Sequence, residues 1–191
     1  MRTKLRRPTR STIPRTSITR CVVSNSRQPI GCGRVYNVDD FALTPAERAV
    51  FMALHERGVR FLVVGLSAAV LEGAPLATQD IDVWLERIDD RVAEAAASAN
   101  AFWISGFGVQ PPGFGGQGLD RLDVVLTAHG LADFDTEYAG ASVREIEGVL
   151  LHILPLERVI ASKRSTNRPK DRAALPALEA TLAARRFGDK R

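Results

Sequence analysis

The chain has 191 residues, 45% of them hydrophobic and 25% charged, the balance of a globular domain with a core of its own. No apolar run approaches the ~18 residues of a membrane helix, the longest being residues 61–71, so no membrane partner is expected. The net charge of +4 is unevenly spread: residues 1–40 hold nine Arg or Lys and two Asp, a net of +7, which leaves residues 41–191 at −3.

Two regions are therefore expected: a basic tail over 1–40 and a folded domain over 41–191. The tail is rich in Arg, Ser, Thr and Pro and has no sustained apolar period, a composition that predicts disorder. It lacks the apolar stretch of a secretory signal. It fits a transit peptide, an upstream start codon wrongly chosen, or a nucleic-acid-binding arm. Cys21 and Cys32 both lie in it, with a spacing that suits neither a zinc site nor a disulfide framework. Free thiols suit a reducing cytoplasm, the expected location.

The first helix is predicted at Thr44-Pro45-Ala46-Glu47, where Thr caps, Pro takes the first helical position and Glu completes a capping box. Val50, Phe51 and Leu54 give it an apolar stripe, and Gly58 ends it. A buried strand follows at 60–64, then a glycine turn at Gly65 and a short helix over 66–72. A strand is predicted at 79–85, a helix capped by Asp89 at 89–99, and a short strand at 102–104. Residues 106–118 are rich in glycine and read as a long loop, a feature often tied to function. A strand over 121–127, a hairpin over 142–154 turning at Glu147-Gly148, and helices at 156–164 and 169–185 complete the chain. The fold class is α/β (α+β), a mixed β-sheet flanked by helices, with helices at the C-terminus. His55, His129 and His152 are scattered and read as structural or surface residues.

The stretch Thr78-Gln79-Asp80-Ile81-Asp82-Val83-Trp84-Leu85 poses a chemical problem. Strand side chains alternate, so Asp80 and Asp82 share one face while Ile81, Val83 and Leu85 share the other. Two carboxylates side by side repel by roughly 4 kcal/mol at ~4 Å and an effective dielectric near 20. A divalent cation relieves that repulsion. Asp123 is a third carboxylate within an apolar strand, placed to join the pair if the strands are neighbours, with Asp120 as a nearby rival. The turn at Gly65 offers backbone N–H groups to a phosphate, Ser67 a hydroxyl, and Lys163, Arg168 and Lys170 positive charge. Mg²⁺ or Mn²⁺ on Asp80, Asp82 and Asp123, together with a nucleoside triphosphate, is the expected ligand set. Trp84 lies on the aspartate face, where partial burial explains it better than stacking on a base.

Val64-Gly65-Leu66-Ser67-Ala68, then Thr78-Gln79-Asp80-Ile81-Asp82, then Asp123, and finally Lys163 with Arg168-Pro169-Lys170-Asp171, together resemble the signature of the nucleotidyltransferase-fold superfamily. Within it the chain is most similar to the minimal, AbiEii toxin-like type, over residues 44–185. Leu66 departs from the pattern, which has a second small residue there. The resemblance implies transfer of a nucleoside monophosphate from an NTP to an acceptor hydroxyl. Asp80 and Asp82 would hold the metals and Asp123 the acceptor side. The implied acceptor is tRNA, a protein or a small molecule, and some relatives are toxins with a cognate antitoxin. Leu66 motivates an alternative, the same fold with weakened catalysis serving as a binding module for RNA or a protein. A metal-dependent glycosyltransferase with its own Asp-x-Asp motif fits less well, because only about forty folded residues precede Asp80.

Overall fold

The computed structural model describes residues 41–188, so the basic tail and its two cysteines lie outside the described residues. The first helix, α1 (Pro45–Glu56), begins as its sequence demands. The Thr44 hydroxyl accepts from the Glu47 N–H, and the Glu47 carboxylate accepts from the Thr44 N–H in return. Glu47 is fully buried and also receives the Arg121 guanidinium, so one acid caps the helix and ties it to a distant turn.

The remaining elements are β1 (Phe61–Val63), α2 (Gly65–Leu71), β2 (Ile81–Leu85), α3 (Asp90–Ser98), β3 (Phe102–Ile104), β4 (Gly113–Gly115), β5 (Leu122–Val125), α4 (Phe134–Ala139), β6 (Ser142–Ile146), β7 (Val149–Ile153), α5 (Leu156–Thr166) and α6 (Pro169–Gly188). The strands form one mixed sheet in the order β3-β4-β5-β2-β1-β7-β6. β1 pairs antiparallel with β2 and parallel with β7, and β2 pairs parallel with β5.

Alternation on β2 decides what each face does. Ile81, Val83 and Leu85 are buried in the core, while Asp82 and Trp84 face the other way. Trp84 is covered there by the edge of Phe134, with ring centroids 5.3 Å apart, so its indole is a packing group. α1 and α3 pack on each other, and α2 and α6 pack on α5. Among the described residues no helix is long and apolar enough to cross a membrane.

Two elements depart from expectation. Residues 106–118 contain a strand, β4, built from Gly-Phe-Gly. The Phe102 ring lies where a side chain on Gly115 would stand, 2.3 Å from an added Cβ, so a partner strand supplies the cover that Gly115 lacks. The short helix α4, capped by Asp133, was not anticipated either.

Candidate functional site

The pairing of β2 with β5 sets Asp82 directly opposite Asp123. The register is fixed at its entry by the Ile81 N–H donating to the Arg121 carbonyl, 2.6 Å. Asp80 precedes β2, where the Thr78 hydroxyl donates to its carbonyl and accepts from its N–H. All three acids line one cavity of about 510 Å³. Asp120, the rival acid, sits in the turn before β5 and does not line it.

Asp82 is the most desolvated of the three. Burial pushes its pKa up, the charge of Asp123 pushes it further, and Lys163 opposes both. Asp123 is raised too, by partial loss of water and then by Asp80, against the pull of Lys170. The three acids make no ion pair among the described residues. Lys163 and Arg168 are instead bound to the wholly buried Asp171, at 3.1 and 2.7 Å.

Gly65 has a physical reason to be glycine. Its φ is +64°, and a Cβ there would lie 2.0 Å from the Asp82 carboxylate. The acid thus rests against the bare backbone of the turn, with the Leu66 N–H close by. Ser67 stands elsewhere than expected. It is fully buried, its hydroxyl donates to the Val64 carbonyl at 2.8 Å and accepts from the Asp82 N–H at 3.2 Å, and it does not line the cavity. It fastens the start of α2 to β2.

Lys163, Arg168 and Lys170 line the same cavity as the acids. Lys163 lies on α5, and the turn into α6 brings the other two round. That turn closes on Asp171, which accepts from Lys163, from the Thr166 hydroxyl at 2.8 Å and from Arg168. Thr78 and Gln79, within the Thr-x-Asp-Ile-Asp stretch, also line the cavity, as do Thr127 and His129, which carried no sequence signal. His129 in particular read as a structural or surface residue. It is exposed, yet its loop brings it to the cavity.

Among the described residues no three His, Cys, Asp or Glu side chains converge as a ready-made metal centre. The fit to a hard divalent cation lies in the donor chemistry: carboxylate oxygens from two adjacent strands, mutually repelling and without a cationic partner in contact.

No family model and no curated protein sequence matches the chain. Among solved structures, it is similar to an antigenic nucleotidyltransferase-like protein from Paracoccidioides brasiliensis, at 15% identity and a TM-score of 0.49, over 73% of this chain and 76% of that one. It is also similar to ANT(2'')-Ia in complex with adenylyl-2''-tobramycin, at 15% identity and a TM-score of 0.47, over 73% and 88% of the two chains. A solution structure of the antibiotic-resistance factor ANT(2'')-Ia matches at 15% identity and a TM-score of 0.45, over 76% and 91%.

Proposed function

We propose that the chain is a nucleotidyltransferase that moves a nucleoside monophosphate from an NTP to an acceptor hydroxyl. The observation that carries this reading is the register of Asp82 against Asp123, with Asp80 beside them and three cationic side chains lining the same cavity. An acidic pair that repels itself is unfavourable unless a cation and a polyanion are its working partners.

Asp80 and Asp82 would hold Mg²⁺ or Mn²⁺, with Asp123 completing the set on the acceptor side. The ions, when bound, supply neutralisation of the polyphosphate and acidification of the acceptor hydroxyl. The chain's own residues do the rest. Asp123, exposed at the cavity and with a raised pKa, takes the proton of the acceptor hydroxyl as its oxygen bonds to the α-phosphorus. The bond from that phosphorus to the bridging oxygen breaks, and pyrophosphate leaves. Lys163, Arg168 and Lys170 face its charge, the first two held in place by Asp171.

Mixing the full chain with labelled NTP, Mg²⁺ and cell extract tests the reading. Label is expected on RNA, protein or a small molecule, and its nature assigns the acceptor class, including the toxin-like case. Label that persists with Asp82→Asn contradicts the mechanism. The burial of Ser67, its hydroxyl turned to the Val64 carbonyl, favours a second reading, a weakened member of this fold that binds without catalysing. Metal-dependent NTP binding with no product in any extract distinguishes it.

A further inference from the structure

We infer that the acceptor is a protein, docked on the exposed apolar hairpin of β3 and β4 so that one of its hydroxyl-bearing side chains reaches Asp123 across Gly113. The inference rests on the nucleotidyltransferase reading and names the class of acceptor that the reading leaves open.

Residues directly opposite each other in paired strands share a face of the sheet. Ile104, Gly113, Asp123 and Asp82 therefore form one row, through the pairings Ile104–Gly113, Gly113–Asp123 and Asp123–Asp82. Within that row Gly113 is bare, and a Cβ added to it would meet nothing within 4 Å. Adjacent strands lie about 4.8 Å apart. The open backbone of Gly113 thus borders the exposed Asp123 on the side away from Asp82. Farther out, the ring of Phe102 lies over Gly115 and remains 60% exposed. The opposite face is filled. Trp103 and Phe114 pack edge to face with ring centroids 5.0 Å apart, which fixes the two strands to each other.

Charge and exposed apolar area select the partner. Residues 95–119 contain no Asp, Glu, Lys or Arg, in a chain that is 25% charged. RNA is held largely through Lys and Arg on its phosphates, and this surface offers none. β3 is also an edge of the sheet, a position where charge ordinarily guards against unwanted pairing. Phe107 and Val109 stand almost wholly in solvent. Their turn is ordered, because Phe107 and Gln110 exchange backbone hydrogen bonds of 3.1 and 3.0 Å. Beside them a second cavity of about 420 Å³ opens between residues 105–112 and the exposed Leu126. Val109 and Gly113 are four residues apart in the chain, a reach of at most roughly 14 Å. A protein interface of ordinary size covers roughly 800 Å² per partner, roughly 28 Å across, so one partner spans both the tip and the approach to Asp123. A small molecule at Asp123 has no use for an apolar turn that distant.

Three fractions of a cell extract test the assignment: protein freed of nucleic acid by nuclease, RNA freed of protein by proteinase, and a low-mass filtrate. Each is mixed with the full chain, labelled NTP and Mg²⁺. Label is expected in the protein fraction alone, on a species other than the chain itself. Phe107→Ser combined with Val109→Ser, both at exposed positions, is expected to lower that transfer about tenfold or more, the usual weight of central apolar anchors in an interface. Gly113→Val, which fills the open space beside Asp123, is expected to lower it by a second route. Neither variant is expected to change the melting temperature or the calorimetric binding of NTP in Mg²⁺. Label in the RNA or low-mass fraction, label confined to the chain itself, or undiminished transfer by both variants overturns the assignment and leaves the nucleotidyltransferase reading standing. NTP binding with no label in any fraction also overturns it, in favour of the fold that binds without catalysing. If the unaltered chain binds no NTP, the nucleotidyltransferase reading fails and the assignment falls with it.

Discussion

Asp82 and Asp171 are both withdrawn from water near the same cavity, and their environments drive them in opposite directions. Asp171 also pays for burial, but Arg168, Thr166 and Lys163 all donate to it and hold its pKa well below the carboxylate range. Asp82 is desolvated with no cation in contact and faces two other acids, so its pKa rises. Burial is common to both, and the partners decide which form is favoured. The satisfied acid is part of the scaffold. The unsatisfied one is available for a cation the chain does not itself supply.

That contrast breaks most visibly through activity. Asp82→Asn is expected to lower label transfer about a thousandfold or more, roughly 4 kcal/mol of barrier, while the metal-free protein melts at an unchanged or higher temperature because one repelling charge is gone. A large fall in melting temperature would make Asp82 a structural acid and remove the contrast.

Asp171→Ala is expected to do the reverse. It leaves Lys163 and Arg168 without their shared partner and is expected to cost about 3–5 kcal/mol, the usual result of breaking one side of a buried ion pair, read as a shift in the urea midpoint. The sign with pH sharpens the comparison. A depressed pKa means that Asp171 contributes stability above its unfolded value of 3.8 and loses that contribution as pH falls through its folded value. Glu86, held down to about 2 chiefly by Arg60 and then Arg87, behaves alike below 4.5. Asp82 has the opposite sign, since its cost is absent below 3.8 and grows as pH rises through its raised folded value. Stability profiles of metal-free Asp171→Asn and Asp82→Asn, each subtracted from the parent, should slope in opposite directions.

Legibility followed how local each determinant is. α1 was readable because its capping box is complete within four residues. The hairpin was readable because Glu147 and Gly148 form its turn, with φ of +51° and +80°. Asp80 and Asp82 on one face follow from the period of a strand. The partnership of Asp123 with Asp82 does not, because strand order and register depend on contacts such as Ile81 with Arg121, forty residues apart in the chain. β4 was hidden because its cover comes from Phe102 on another strand, and α4 because six residues carry almost no period. Ser67 was misplaced for a related reason: the residue type fits a phosphate ligand, and only the packing shows its hydroxyl turned to Val64 and Asp82. Thr127 and His129 acquire meaning only from the cavity they border.

The smallest expected effect tests the link between turn and acid. Gly65→Ala places a side chain in left-handed backbone, which costs about 1–2 kcal/mol for an L-residue, and puts its Cβ 2.0 Å from an Asp82 oxygen. Because Asp82 is partly exposed to the cavity, its carboxylate has room to swing away from the turn, so the fold survives. Its position opposite Asp123 does not. The variant should therefore lose Mn²⁺ affinity, followed by electron paramagnetic resonance, by more than its modest fall in stability explains. Gly58→Ala is the control, a left-handed glycine with open space around its Cβ. It bears the same backbone cost with no acid to displace and should leave Mn²⁺ binding intact. Equal losses of Mn²⁺ affinity in the two variants would show that Gly65 serves only the turn and that Asp82 does not depend on it.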